Sequence, residues 1–226
     1  MNLLNFHTHR MAVFGEIAVC NRMPPLDFPE DGKGVTYYSV GLHPWHVSER
    51  WREDMDAVAE AVTHAGVVAV GECGLDRCCT VPMDLQMAVF ESHVLLSEQK
   101  SMPLVVHCVR ALDLLLEVRR RMRPCQRWVW HGYRGGARQL GQLLRSGIIV
   151  SFGSRFVSQA LQDCPLDSFF LETDDGDVSL PDLYRSVAEF KGISLEELAG
   201  CQSDNFLRLL EGRLPERRTV SGLLQL

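Results

Sequence analysis

Six side chains able to ligate a metal recur at one kind of place in this 226-residue chain, directly after short apolar runs of the sort that form buried strands. L-L-N-F-H-T-H carries His7 and His9, V-V-A-V-G runs into Glu72, P-L-V-V-H ends in His107, R-W-V-W-H ends in His131, and S-F-F-L-E-T-D ends in Asp174. Residues i and i+2 of a strand point to one face, so His7 and His9 aim at one point while Phe6 and Thr8 face away. A carboxylate at the end of a buried strand is costly unless a cation or donors meet it, so Glu72 needs a partner. Four imidazoles and two carboxylates exceed the three protein ligands and one water of a tetrahedral catalytic zinc. They suit two ions that share a bridging carboxylate. A carboxylated lysine is the other bridge such barrels use, but lysine occurs only at 33, 100 and 191, so the bridge falls to Glu72 on the fourth strand. A dinuclear centre generates hydroxide at neutral pH and clamps both oxygens of an in-line displacement. The expected cofactor is two divalent ions from among Zn, Mn, Fe, Co, Ni and Mg, with so nitrogen-rich a set arguing against a site dedicated to Mg.

Strand-like segments begin near residues 3, 16, 35, 67, 103, 127, 148 and 168, and most are followed by helical patterns. Trp51, Met55, Val58 and Val62 form one helical stripe with Ser48 as its cap; others cover residues 82–99, the region of Leu112 to Arg119, and Leu140 to Leu144. Residues 181–191 form a helix stopped by Gly192, and Ser194 with Glu197 makes a capping box for a last one that restarts near Asp204 and ends around Gly212. βα alternation at eight repeats predicts a single (β/α)8 TIM barrel over residues 1–226, with 213–226 unassigned. The turn-rich stretch from Arg10 to Val35 shows no helical stripe, so the barrel is expected to be distorted, with one or more early helices missing. His46, His64 and His93 read as ordinary surface, capping or structural histidines.

A composition of 46% hydrophobic and 23% charged residues is that of a soluble globular protein. The net charge of -6 argues against long non-specific tracking along duplex nucleic acid. Local cation is still available, since Arg77, Arg110, Arg134 and Arg155 fall near strand ends where they could hold phosphates. The first residues lack a basic start and a long apolar core, and no uninterrupted apolar stretch reaches about 18 residues, so a cytoplasmic location without membrane contact is expected. Eight cysteines without a C-x-x-C pair read as free thiols.

In their order the motifs resemble the TatD-type metal-dependent deoxyribonucleases of the amidohydrolase-like barrel superfamily. The resemblance is carried by H-T-H at 7–9, G-L-H-P at 41–44, G-E-C-G-L-D at 71–76, V-H-C at 106–108, H-G-Y-R-G at 131–135, E-T-D at 172–174 and S-D-N-F at 203–206. It implies that His7, His9 and Asp174 serve one metal, His107 and His131 the other, and that Glu72 bridges. It also implies phosphodiester hydrolysis, often 3' to 5' on DNA, with His43 near the scissile phosphate and Asp174 assisting proton transfer. Three departures alter the mouth of the barrel: the short early region, Val109 in place of the family's arginine with Arg110 displaced by one, and Asp175-Gly176-Asp177-Val178 after E-T-D. They keep two other expectations open, a metal-dependent hydrolase of a small phosphate ester, lactone or amide, and a non-enzymatic metal- or partner-binding barrel.

Overall fold

The computed structural model describes residues 1–29 and 32–211. Eight parallel strands in chain order, β1 (Leu3–Thr8), β2 (Glu16–Arg22), β3 (Val35–Val40), β4 (Val67–Asp76), β5 (Leu104–Val109), β6 (Trp128–Trp130), β7 (Ile148–Phe152) and β8 (Phe169–Leu171), form one sheet that curls into a nearly closed barrel. From β3 onward each strand is followed by a helix: α1 (Trp51–Ala61), α2 (Met83–Lys100), α3 (Leu112–Met122), α4 (Ala137–Arg145), α5 (Ser158–Asp163), and after β8 both α6 (Leu180–Lys191) and α7 (Leu195–Leu209). Segments 9–15 and 23–34, after β1 and β2, contain no helix among the described residues. The eight expected strands are present, and so is the thinned early layer.

Four local expectations change. Ser48 does not cap α1: its Oγ accepts from Arg50 N–H (3.2 Å), and the helix starts two residues later with Arg50 at its N-cap. α5 has too few residues to display a stripe, which is why its sequence shows none. α7 runs unbroken through Asp204 behind its Ser194 cap, and the expected end at Gly212 lies outside the described residues, as does 213–226. Strict alternation also fails on β1. Its ladder to β2 slips between Asn5 and Thr8, so Phe6 stacks on Phe170 (4.2 Å between ring centres) in the barrel interior while the adjacent His7 reaches the mouth. A bulge of this kind re-aims a side chain without ending the strand.

Two apolar layers hold the sheet. Leu4, Phe6, Ile17, Val19, Tyr37, Val68, Val105, Val129 and Phe170 fill the interior, joined by Phe206 and Leu209 of α7. The alternate strand residues, such as Val106, Trp128, Val150 and Phe169, pack against the helices with Phe90, Leu115, Leu140 and Tyr184.

The apolar run before Glu72 predicts that β4 ends there. It continues for ten residues, and its ladder to β5 slips between Val70 and Cys73, where Glu72 emerges. Gly71 and Gly74, at φ +123° and +150°, make the close approach to β5 sterically allowed. A Cβ would fall 2.3 Å from Val105 O at Gly71 and 1.9 Å from His107 O at Gly74, so neither position accepts a side chain. The barrel closes where Asp174 N–H donates to His7 O (3.0 Å) and Thr8 Oγ donates to Asp174 O (3.3 Å). All eight cysteines are free. No helix among the described residues is long and apolar enough to cross a membrane.

Candidate metal centre

Glu72 is buried, and its two oxygens divide five imidazoles between them. Oε2 lies 3.3 Å from His7 Nε2 and 3.8 Å from His9 Nε2. Oε1 lies 2.7 Å from His131 Nε2, 3.0 Å from His107 Nδ1 and 3.1 Å from His43 Nε2. Asp174 closes the first side, with Oδ1 3.4 Å from His9 Nε2 and 3.7 Å from His7 Nε2. It takes up a left-handed backbone conformation (φ +52°) to do so. The structure thus brings together all six residues selected from strand ends, and His43 with them.

Ligand atoms meet in overlapping sets of three, each within 4.8 Å: His7, His9 and Glu72; His7, His131 and Asp174; His43, Glu72 and His107; and His9, Asp174 and Asp175. Both ring nitrogens of the fully buried His7 lack a hydrogen-bond partner among the described residues. Buried donors and acceptors are rarely left so. An imidazole whose Nε2 faces two carboxylates and has no hydrogen bond is what a cation would satisfy, and the donor set of imidazoles and carboxylates fits a divalent ion of the zinc or manganese type.

The second nitrogen of each histidine separates two kinds of role. His107 turns Nε2 to Asp76 Oδ2 (3.3 Å), and His131 Nδ1 lies 3.4 Å from Glu172 Oε1. A carboxylate thus stands on the outer side of each ring, within hydrogen-bond distance for His107 and as an unbonded neighbour for His131, the placement found behind metal-ligating histidines. His43 is the reverse. Its Nδ1 accepts from Trp45 N–H (3.2 Å), so Nε2 carries the proton and faces inward as a donor.

Electrostatics follow from this crowding. Burial pushes the Glu72 carboxyl up, but the charge of His131 and hydrogen bonds from His107, His131 and His43 outweigh it and hold it well below its ordinary value. For Asp174, too, burial is outweighed, by His9 and the charges of His7 and His131, and the group stays ionised. Burial lowers His43, favouring the neutral ring. His9 is raised, chiefly by its hydrogen bond to Asp174. Two carboxylates held ionised in a buried site call for positive charge between them.

Asp76 and Glu172 were not singled out from the sequence. Asp76 accepts from Trp45 Nε1 (2.6 Å) and Cys78 N–H (2.6 Å) as well as facing His107, and Ser151 Oγ donates to Glu172. Asp76 lies four residues beyond Glu72 on the same strand, so the i, i+2 rule applied to His7 and His9 finds it too, whereas Glu172 follows the end of β8 and is marked only by its place in E-T-D.

His9, His43, Glu72, His107, His131 and Asp174 line a cavity of about 480 Å³ at the barrel mouth, with His46 and Asp175 on its wall. None of the four arginines selected from strand ends is among its lining residues. All four are exposed. Arg77 is paired side-on with Asp113 through two 2.7 Å contacts. The cavity instead receives Arg22, the last residue of β2. His64 is exposed in the turn after α1, where it accepts from Gly66 N–H (3.1 Å), and His93 is buried in α2.

Residues 29–211 match the family model described as TatD related DNase. The chain belongs to the TatD-related DNase family. Membership makes it one of a family of metal-dependent hydrolases. The chain is 30% identical over 195 residues to the metal-dependent hydrolase YcfH of Escherichia coli strain K12, covering 76% of this chain and 72% of YcfH. It is 26% identical over 206 residues to the 3'-5' ssDNA/RNA exonuclease TatD of Pectobacterium carotovorum, covering 76% of each. The crystal structure of YjjV, a TatD homologue from Escherichia coli, superposes with a TM-score of 0.76 at 21% identity over 85% of each chain, which establishes the shared barrel.

Proposed function

We propose that this chain is a dinuclear metal-dependent phosphodiesterase that removes residues from an end of single-stranded DNA. The observation that carries the reading is the division of the Glu72 carboxylate, one oxygen toward His7 and His9 and the other toward His107 and His131. On this reading His7, His9 and Asp174 hold one divalent ion, His107 and His131 hold a second, and Glu72 bridges. Such ions supply Lewis acidity and make water acidic enough to ionise near neutral pH.

The remaining work falls to side chains of this chain. His43, with its proton on Nε2, donates to a phosphate oxygen, and Asp174, held ionised, accepts a proton from the attacking water. Asp76 orients the ring of His107, and Glu172 stands behind that of His131. The relatives named as 3'-5' nucleases support a nucleic-acid substrate. A cavity of about 480 Å³ accommodates the end of one strand and not a duplex, within the usual range for a small-ligand site.

The test is cleavage of end-labelled single-stranded DNA by protein loaded in turn with Mn, Mg, Zn or Co. Stepwise shortening is expected. H43A should keep its metal content and lose roughly 100-fold in kcat, the scale of a single positioned donor. Failure of every metal to support cleavage, or loss of metal from H43A, contradicts the assignment.

A further inference from the structure

We infer that Arg22 forms a phosphate subsite on the cavity wall, apart from the metal ligands, so that the substrate is a nucleotide or oligonucleotide whose phosphate lies against the end of β2. This deepens the phosphodiesterase reading and rests on it. Arg22 is the one lysine or arginine among the described residues lining the cavity. The wall around it carries Asp27, Glu72, Asp174 and Asp175, so apart from the histidines of the ligand cluster and whatever cations they hold, Arg22 is the positive charge that an anion entering this mouth meets.

The guanidinium is positioned and only loosely paired. Its carbon centre lies 5.7 Å over the Tyr38 ring, and Nη2 rests 3.5 Å from Met11 Sδ, a weak acceptor. Nε is buried and has no hydrogen-bond partner among the described residues. The exposed Asp27 makes a long ion pair, its Oδ1 3.8 Å from Nε and beyond hydrogen-bond distance. A rigid fork of charged donors with a buried, unsatisfied N–H is built to receive a planar or tetrahedral oxyanion. Its placement follows from the missing early helix: the chain turns directly from Arg22 into the loop that carries Asp27.

Binding of thymidine 5'-monophosphate, thymidine and inorganic phosphate to EDTA-treated protein, followed by tryptophan fluorescence, reads this subsite without turnover. The nucleotide should bind wild type tighter than R22Q by roughly tenfold to a hundredfold, the range for a hydrogen bond to a charged group, with thymidine unaffected. R22K should fall between, having charge without the fork. D27N, at an exposed position, should tighten nucleotide binding, and inorganic phosphate that competes as well as the nucleotide would assign the site to bare phosphate. Equal nucleotide affinity in a folded R22Q, no binding to wild type, or a parallel loss of thymidine affinity overturns the subsite. Nucleotide binding through Arg22 in a protein that cleaves no phosphodiester with any metal would retain the subsite and discard the activity.

Discussion

Strands β1 and β2 lead into loops and hold their buried groups through directed polar contacts, whereas β4 to β8 are backed by helices and held by apolar packing. In the first arc the buried Glu16 accepts from Asn5 Nδ2 (2.7 Å), Arg10 Nη1 (2.8 Å) and Val13 N–H (3.1 Å), and Thr36 Oγ accepts from Ala12 N–H (3.1 Å). In the second, Trp128 packs edge-on against Phe90 (5.4 Å) beneath the Arg119 guanidinium (4.9 Å). Directed bonds fix a loop's path but tolerate few substitutions, while a helix layer is forgiving in sequence and rigid in shape. The two arcs meet at Glu72, which faces His7 and His9 from one and His107 and His131 from the other.

The largest expected effect breaks that meeting point. E72A should lose both divalent ions, H7A and H131A one each, with hydrolysis falling at least about 1,000-fold in E72A, the order of losing a central electrostatic element. Metal content by mass spectrometry after gel filtration decides it, and full retention of two ions by E72A would show that the arcs bind independently. Next come the two kinds of support. W128A should cost about 3 to 5 kcal/mol from the cavity it leaves. E16A should cost about 3 kcal/mol because three donors lose their acceptor. Urea midpoints compare them; a negligible effect of E16A would mean that water replaces the network in the loop arc.

A smaller effect concerns His93 of α2, which ties a helix to the loop bearing His43: Nε2 accepts Leu42 N–H (3.0 Å) and Nδ1 donates to Val89 O (2.8 Å). Burial lowers it from 6.5 to about 4. The native state therefore binds fewer protons than the unfolded chain between these values. Its contribution is complete above about pH 6.5 and is lost as pH falls toward 4, by roughly 3 kcal/mol at most. Urea midpoints at pH 7 and pH 4.5 should show the drop, and H93Q should flatten it; an unchanged slope in H93Q would assign the acid sensitivity elsewhere. The smallest effect is R77A. Its pair with Asp113 is exposed and outside the cavity, so the melting temperature and the KM for DNA should not move.

Much of the site was legible because a buried parallel strand writes a plain signal, an apolar run that stops at a polar residue. His107, His131 and Glu72 each follow such a run. What the sequence hides is the register. The slips between Asn5 and Thr8 and between Val70 and Cys73 leave no mark in composition, so neither the place of Phe6 in the interior nor the run of β4 beyond Gly71 can be read there. Arginine placement was hidden for another reason: proximity to a strand end says nothing of whether a long side chain turns in or out. Arg77 turns toward Asp113, and Arg22, in a region with no regular pattern, turns in.

Asp174 has a further consequence. The same residue that faces His7 and His9 through its carboxylate stitches β1 to the segment after β8 through its backbone, by the bonds to His7 O and from Thr8 Oγ. The seam of the barrel runs through the ligand cluster. A cation gripped by His7 and Asp174 would act as a rivet across that seam, joining segments more than 160 residues apart in sequence. Loading would then register far from the mouth as slower amide exchange along β1 and β8, and chelation would loosen the whole hoop rather than one loop.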